Sequence, residues 1–169
     1  NEPVVVPMGY ARVGHQLLLH ASTGSRFARL LASGQPVCIT VTSLDGIVVA
    51  RSANNCSMNY RSAMIFGSME LVSDAEKWDA LAAVTEGLIP GFWPHARLMN
   101  SKEEASTAVL RISLDQASVK ARTGSTLDEP EDMELPIWSG VVPLTLVKGE
   151  PVAHESARDI PVPDYVKNL

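Results

Sequence analysis

The sequence predicts a mainly β domain, an antiparallel barrel-like sheet of six or more strands with helices set apart from it. Three observations carry this reading. Extended runs are joined largely by tight turns, helical spacing is confined to two or three separate places, and no strand–helix alternation builds a parallel sheet.

Residues 3–12 open with Val4, Val5 and Val6 between Pro3 and Pro7, a composition that suits an edge or terminal strand. A turn at Val13-Gly14-His15 leads to an antiparallel partner at residues 16–20. The small, polar stretch Ala21-Ser22-Thr23-Gly24-Ser25-Arg26 feeds a short helix, with Phe27, Leu30 and Leu31 at i, i+3 and i+4 and Gly34 as its stop. Residues 37–42 alternate with period two, Asp45-Gly46 signals a hairpin turn, and residues 47–51 return as the partner strand. Residues 60–72 read as a long strand bent at Gly67.

Ser73-Asp74-Ala75-Glu76 has the form of a capping box with Ser73 as N-cap. Behind it Trp78, Leu81, Ala82, Thr85, Leu88 and Ile89 lie at helical spacing until Pro90-Gly91 ends the run. Ser101-Lys102-Glu103-Glu104 repeats the cap pattern before a shorter turn. Strand character returns at residues 107–114, 117–122 and 141–148, with the acidic loop 128–134 before the last. Residues 149–169 carry Pro151, Pro161 and Pro163 and read as a surface tail. With no repeat and no linker, residues 1–169 form one domain in this reading.

The composition, with 46% hydrophobic and 20% charged residues over 169 positions, belongs to a folded globular chain. At this length roughly 68–70% of the unfolded surface is buried, so neither metal nor disulfide is required. A net charge of −5 argues against electrostatic wrapping of nucleic acid. The apolar runs fall far short of the ~20 residues that cross a bilayer. Cys38 and Cys56 have no paired spacing, so the expectation is reduced thiols in a cytoplasmic protein. The chain starts at Asn1 with no signal-like segment and reads as trimmed.

Two stretches carry candidate chemistry. Ser22-Thr23-Gly24-Ser25-Arg26 offers hydroxyl donors, a glycine that permits close approach, an arginine and the open amides of a helix start, which together match a phosphate. The same residues also suit an ordinary N-cap loop. It is neither a P-loop nor a Rossmann fingerprint. His20, just before it, either faces a ligand or satisfies a carbonyl. The other histidines, His15, His95 and His154, form no metal-ligand motif, and no metal is assigned. The second stretch is the polar run 54–62 ahead of apolar residues 63–67, where Tyr60 and Ser62 share a strand face and Arg61 takes the other. Cys56 has no adjacent His or Lys to activate it and reads as passive.

Taken in order, His20-Ala21-Ser22-Thr23-Gly24-Ser25-Arg26 and Ser57-Met58-Asn59-Tyr60-Arg61-Ser62 with Phe66-Gly67 resemble the pyridoxamine 5′-phosphate oxidase-like FMN-binding split-barrel proteins, nearest to the branch of the nitroimidazole-resistance reductases. The resemblance spans residues 3–147. It implies a six-stranded split barrel, FMN as cofactor, and a homodimer with flavin at the subunit interface. By the same resemblance Ser25 and Arg26 are phosphate ligands, with Ser22, Thr23 and Gly24 in the same loop. Leu19, His20 and Ala21 line the flavin at a strand end, Arg61-Ser62 matches an Arg-Gln pair whose second member contacts the ring, and Tyr60 stands beside them. Trp138 is similar to a late aromatic that approaches the cofactor.

Departures from the family pattern are informative. A lysine that follows Gly-Ser-Arg in the oxidase is Phe27 here, and Asn55-Cys56 stands where nearer relatives carry two histidines. The residues that bind the oxidase's substrate phosphate are not recognisable, which argues against vitamin B6 synthesis, and the family's N-terminal helix and opening strand are missing. The expected function is a small flavin oxidoreductase that passes electrons between a reductant such as NAD(P)H and a small planar acceptor. The competing expectation is a non-catalytic module binding flavin, haem or deazaflavin on the same fold.

Overall fold

The computed structural model describes residues 3–169, and its strands are antiparallel throughout, in two four-stranded sheets. The chain divides into two compact units. The first holds Asn1–Val37, Phe66–Gln116 and Glu150–Leu169; the second holds Cys38–Ile65 and Ala117–Gly149. The fold is mainly β with a few helices, as the sequence predicts.

In the first unit the sheet runs β1 (Tyr10–Val13), β2 (Gln16–Ser22), β6 (Thr107–Ser113), β5 (Glu70–Leu71) in spatial order. Leu17, Leu18 and Leu19 are all buried, so β2 is covered on both faces, which is why it reads as an unbroken apolar run rather than an alternating one. On one face Ala11, Leu18 and Val109 pack with Val72 and with Ala80, Leu81 and Val84 of helix α2 (Asp74–Leu88). Helix α1 (Arg26–Ala32) buries Ala28 and Leu31. It ends before Gly34, whose φ of 76° is the left-handed conformation that glycine adopts without penalty.

Several boundaries differ from expectation. The first strand starts at Tyr10, and residues 3–9 lie outside it. The core face of α2 centres on Ala80, Leu81 and Val84, while Leu88 is exposed. Ser73 is the N-cap of α2, but its hydroxyl donates to Glu76 Oε2 (2.6 Å) rather than accepting from the backbone, so the expected box is not formed. Helix α3 (Ser101–Ser106) does carry a capping box, set one residue earlier than predicted: Asn100 Oδ1 accepts from the Glu103 amide, and Glu103 Oε2 accepts from the Asn100 amide, both at 2.9 Å.

In the second unit the order is β7 (Ala117–Arg122), β4 (Ser57–Ser68), β3 (Pro36–Val49), β8 (Gly140–Pro143). The predicted hairpin at Asp45-Gly46 is absent, because β3 runs straight through it. Gly46 lies opposite Pro143, and a Cβ there would meet Val141 and the Val142 carbonyl at 3.1 Å. The glycine serves close approach of β8, not a turn. β4 begins at Ser57, earlier than expected, and β8 is shorter than the predicted 141–148. In the first unit the tail is exposed except at the half-buried Ala157 and around helix α4 (Asp164–Lys167), where Tyr165 stacks on His95 (5.2 Å between ring centres) and tilts against Phe92. No helix of the described residues is long and apolar enough to cross a membrane.

Candidate functional site

The polar stretch 22–26 forms the junction between β2 and α1, and it is pinned from three sides. The Thr23 amide donates to the Ser106 carbonyl (2.8 Å), the Ser25 amide donates to the Ser22 carbonyl (3.0 Å), and Ser25 Oγ accepts from the Ala28 amide (2.9 Å). Ser25 is therefore an N-cap in extended conformation, which satisfies one first-turn donor and leaves the amides of Arg26 and Phe27 without an intrahelical acceptor. A Cβ on Gly24 would meet only Ser22 Oγ, at 3.8 Å, so the approach to these amides is open. The Arg26 side chain is exposed and makes no hydrogen bond or ion pair among the described residues. Open amides, the Ser22 and Ser25 hydroxyls and one uncommitted guanidinium fit a phosphate group.

The neighbouring candidates divide by strand alternation. Leu19 is a core residue, with Tyr10 and Leu110 as its strand partners on either side, so neither its side chain nor its strand edges are free. His20 is exposed and Ala21 half-buried beside the loop. Sequence reading did not identify the carbonyls of Ala105 and Ser106, which hold Thr23; they lie 82 or more positions away, and only the strand pairing reveals them.

Within the second unit, Ser62 Oγ shares a 3.0 Å hydrogen bond with Thr42 Oγ1 of β3. Both line a cleft of about 260 Å³ with Arg61, Ala63 and Val119. Arg61 points away from Ser62, as period two requires, and forms a bidentate pair with Asp45 (Nε to Oδ2 3.0 Å, Nη2 to Oδ1 2.9 Å). Hydrogen bonding from Arg61 holds the Asp45 carboxyl below its ordinary range, and Asp45 raises Arg61 in return. Tyr60 is half-buried opposite Arg122.

Trp138 is 64% exposed, its ring lying over Gly140, where a Cβ would come within 3.0 Å of the indole. Its segment is anchored by Arg51, whose Nη1 donates to Asp128 Oδ2 (2.7 Å) and to Ser139 Oγ (2.8 Å). The Asp128 side chain is only 1% exposed. Asn55 Nδ2 donates to the Leu127 carbonyl, and the Cys56 thiol accepts weakly from the Ala50 amide, so both have structural partners. Among the described residues no group of three or more His, Cys, Asp or Glu is placed to hold a metal ion.

Comparison with known proteins adds to this geometry. Residues 1–121 match the family described as pyridoxamine 5′-phosphate oxidase. Among curated proteins none matches. Among solved structures, the FAD and haem binding protein from Mycobacterium smegmatis is 41% identical with a TM-score of 0.95, covering 99% of this chain and 83% of its own. The flavocytochrome Anf3 from Azotobacter vinelandii is 39% identical with a TM-score of 0.92, covering 99% and 79%. A candidate 5-nitroimidazole antibiotic resistance protein from Bacteroides thetaiotaomicron is 25% identical with a TM-score of 0.53, covering 70% and 68%.

Proposed function

The chain belongs to the pyridoxamine 5′-phosphate oxidase family, and from that premise we propose that it is a flavin-binding redox protein whose phosphate seat is the Ser22–Arg26 loop. The observation that carries the reading is the uncommitted Arg26 beside open first-turn amides. Ser25, already fixed as N-cap through its oxygen, keeps its O–H proton for a phosphate oxygen. Flavin, when bound, supplies hydride or electron transfer, and the protein supplies binding, orientation and electrostatics. His20 and Ala21 stand at the same strand end.

FMN and FAD share this phosphate seat, and two observations favour FAD. A terminal monophosphate carries about −1.5 to −2 at neutral pH, whereas each phosphate of a diphosphate bridge carries one charge. Phe27 in place of a second cation suits the lower charge. The FAD-binding protein of Mycobacterium smegmatis also covers 99% of this chain at 41% identity.

That protein and the flavocytochrome support a second reading, haem in addition to flavin. His154 Nδ1 accepts from the Ser156 amide at 3.2 Å. His15 Nε2 is 3.0 Å from Asp115. His20 and His95 have no ring hydrogen bond among the described residues and remain as ligand candidates.

A homodimer completes the proposal. Among the described residues no apolar residue after Ile112 is buried, yet that part of the chain carries Trp138 and a fully exposed Leu146. Apolar surface of this extent is a recurrent mark of an interface. Reductant and acceptor are a nicotinamide nucleotide and a small planar molecule. Binding and turnover separate the enzyme from a binding module: Arg26→Ala loses flavin affinity in either case, but only the enzyme accelerates NAD(P)H oxidation with quinone or nitroaromatic acceptors. Unchanged flavin affinity in Arg26→Ala removes the loop from the site.

A further inference from the structure

We infer that Lys77 is a positioning residue for the phosphate loop: from helix α2 it braces the C-terminal end of helix α3, and that end holds Thr23 in place. The inference rests on the reading above that Ser22–Arg26 seats a flavin phosphate. Every residue it uses belongs to the first unit. Helix α3 is a six-residue helix, far shorter than an isolated helix needs to persist in water, so contacts from other elements must hold it. Its N-terminal end is fixed by its own capping box. Its C-terminal end leaves carbonyls without intrahelical donors.

Those carbonyls are met in order along the chain. The Glu103 carbonyl accepts from Ser106 Oγ (3.0 Å) and Thr107 Oγ1 (2.9 Å), both local. The Glu104 carbonyl accepts from the Thr107 amide and from Lys77 Nζ (2.6 Å). The Ala105 carbonyl accepts from Thr23 Oγ1 (3.4 Å), and the Ser106 carbonyl from the Thr23 amide (2.8 Å). Three successive carbonyls of one helix end are therefore tied to other elements, the first to α2 and the next two to the phosphate loop. Strand register places the same end beside the loop, with Ser22 opposite Thr107.

Charge and burial set Lys77 apart from other cations of this unit. Arg97 is paired with Glu103, and Arg111 with Glu70 and Glu76. Lys77 is half-buried and has no carboxylate partner among the described residues; its hydrogen bond goes to a carbonyl at a helix C-terminus, where a cation is favoured. A hydrogen bond from an ionised donor is about twice as strong as a neutral one. Helix α2 is itself fixed in the core by Ala80, Leu81 and Val84, so the ammonium is delivered from a rigid base. Without it the last turn of α3 loses this tie, the Ala105 and Ser106 carbonyls shift, and the loop that carries the Arg26 and Phe27 amides loosens.

The test is the affinity for FAD, FMN and riboflavin, which lacks a phosphate, measured by fluorescence titration in the wild type, Lys77→Met, Lys77→Arg and Lys102→Met, each with its thermal midpoint. Lys102 is an exposed cation of α3 itself and controls for lost charge. Lys77→Met should bind FAD and FMN several-fold more weakly and riboflavin as before, so that the preference for phosphorylated flavins shrinks. Lys77→Arg should restore that preference, and Lys102→Met should keep it. Lys77→Gln, a milder change, replaces Lys77→Met in the comparison if the latter does not fold. An unchanged preference in the Lys77 variant, or an equal loss for all three flavins, overturns the role of Lys77 and leaves the phosphate seat intact. A wild-type protein that binds no flavin, or binds riboflavin as tightly as FMN and FAD, overturns the seat and this inference with it.

Discussion

Arg26 and Asp128 are both charged residues, but their surroundings give them opposite roles. Arg26 is exposed and unpaired at the start of α1, so its removal should leave stability unchanged. Arg26→Ala should weaken flavin binding by about 1.5–3 kcal/mol, the range for a hydrogen bond to a charged group, as read by fluorescence titration. Asp128 is buried and fully engaged. Hydrogen bonds, first from the Arg51 amide and then from Thr126, the Arg51 guanidinium and Ser139, hold its carboxyl below the ordinary range against the upward push of burial. A depressed native pKa contributes stability that is present above about pH 3.9, the unfolded value, and is lost as pH falls through the lower folded value. Asp128→Asn should therefore be less stable than the wild type at neutral pH, with the gap closing as the solution is acidified below that point. Chemical denaturation at several pH values checks this, and a gap that stays constant in acid contradicts it. Arg26 was legible in the sequence because its neighbours are sequence neighbours. The Arg51–Asp128 pair was not, since its partners stand 77 residues apart.

At the scale of elements, helix α2 shows how packing overrides propensity. Glycine inside a helix ordinarily costs about 1 kcal/mol relative to alanine. At Gly87, however, an added Cβ would come within 2.7 Å of the Ala11 Cβ and 3.2 Å of its Cα on β1. Gly87→Ala should therefore destabilise the protein, by about 1–3 kcal/mol through overpacking, where propensity alone predicts a gain. The caps give a paired prediction. Asn100→Ala removes an observed capping box and should cost about 1 kcal/mol. Ser73→Ala removes a hydroxyl that makes no backbone cap and should cost less; thermal melts of the two variants distinguish them. Helix positions and most strands were legible from periodicity and from Gly and Pro punctuation. Asp45-Gly46 misled because a glycine needed for contact with β8 has the same local signature as one needed for a turn.

For the whole molecule, the sequence conveyed the antiparallel β class and one set of candidate ligands, but not the division into two units, because that depends on which strands pair at long range. The large exposed apolar side chains after Ile112 predict a dimer by analytical ultracentrifugation, and Leu146→Asp should shift it toward monomer. The central claim is that this chain holds a flavin on the Ser22–Arg26 loop. Its most direct test is the visible absorption spectrum of the purified protein, with identification of the chromophore released on denaturation. The account predicts oxidised-flavin bands, close to one flavin per chain, and loss of that flavin in Arg26→Ala. A colourless protein that also fails to take up added FAD or FMN would contradict it.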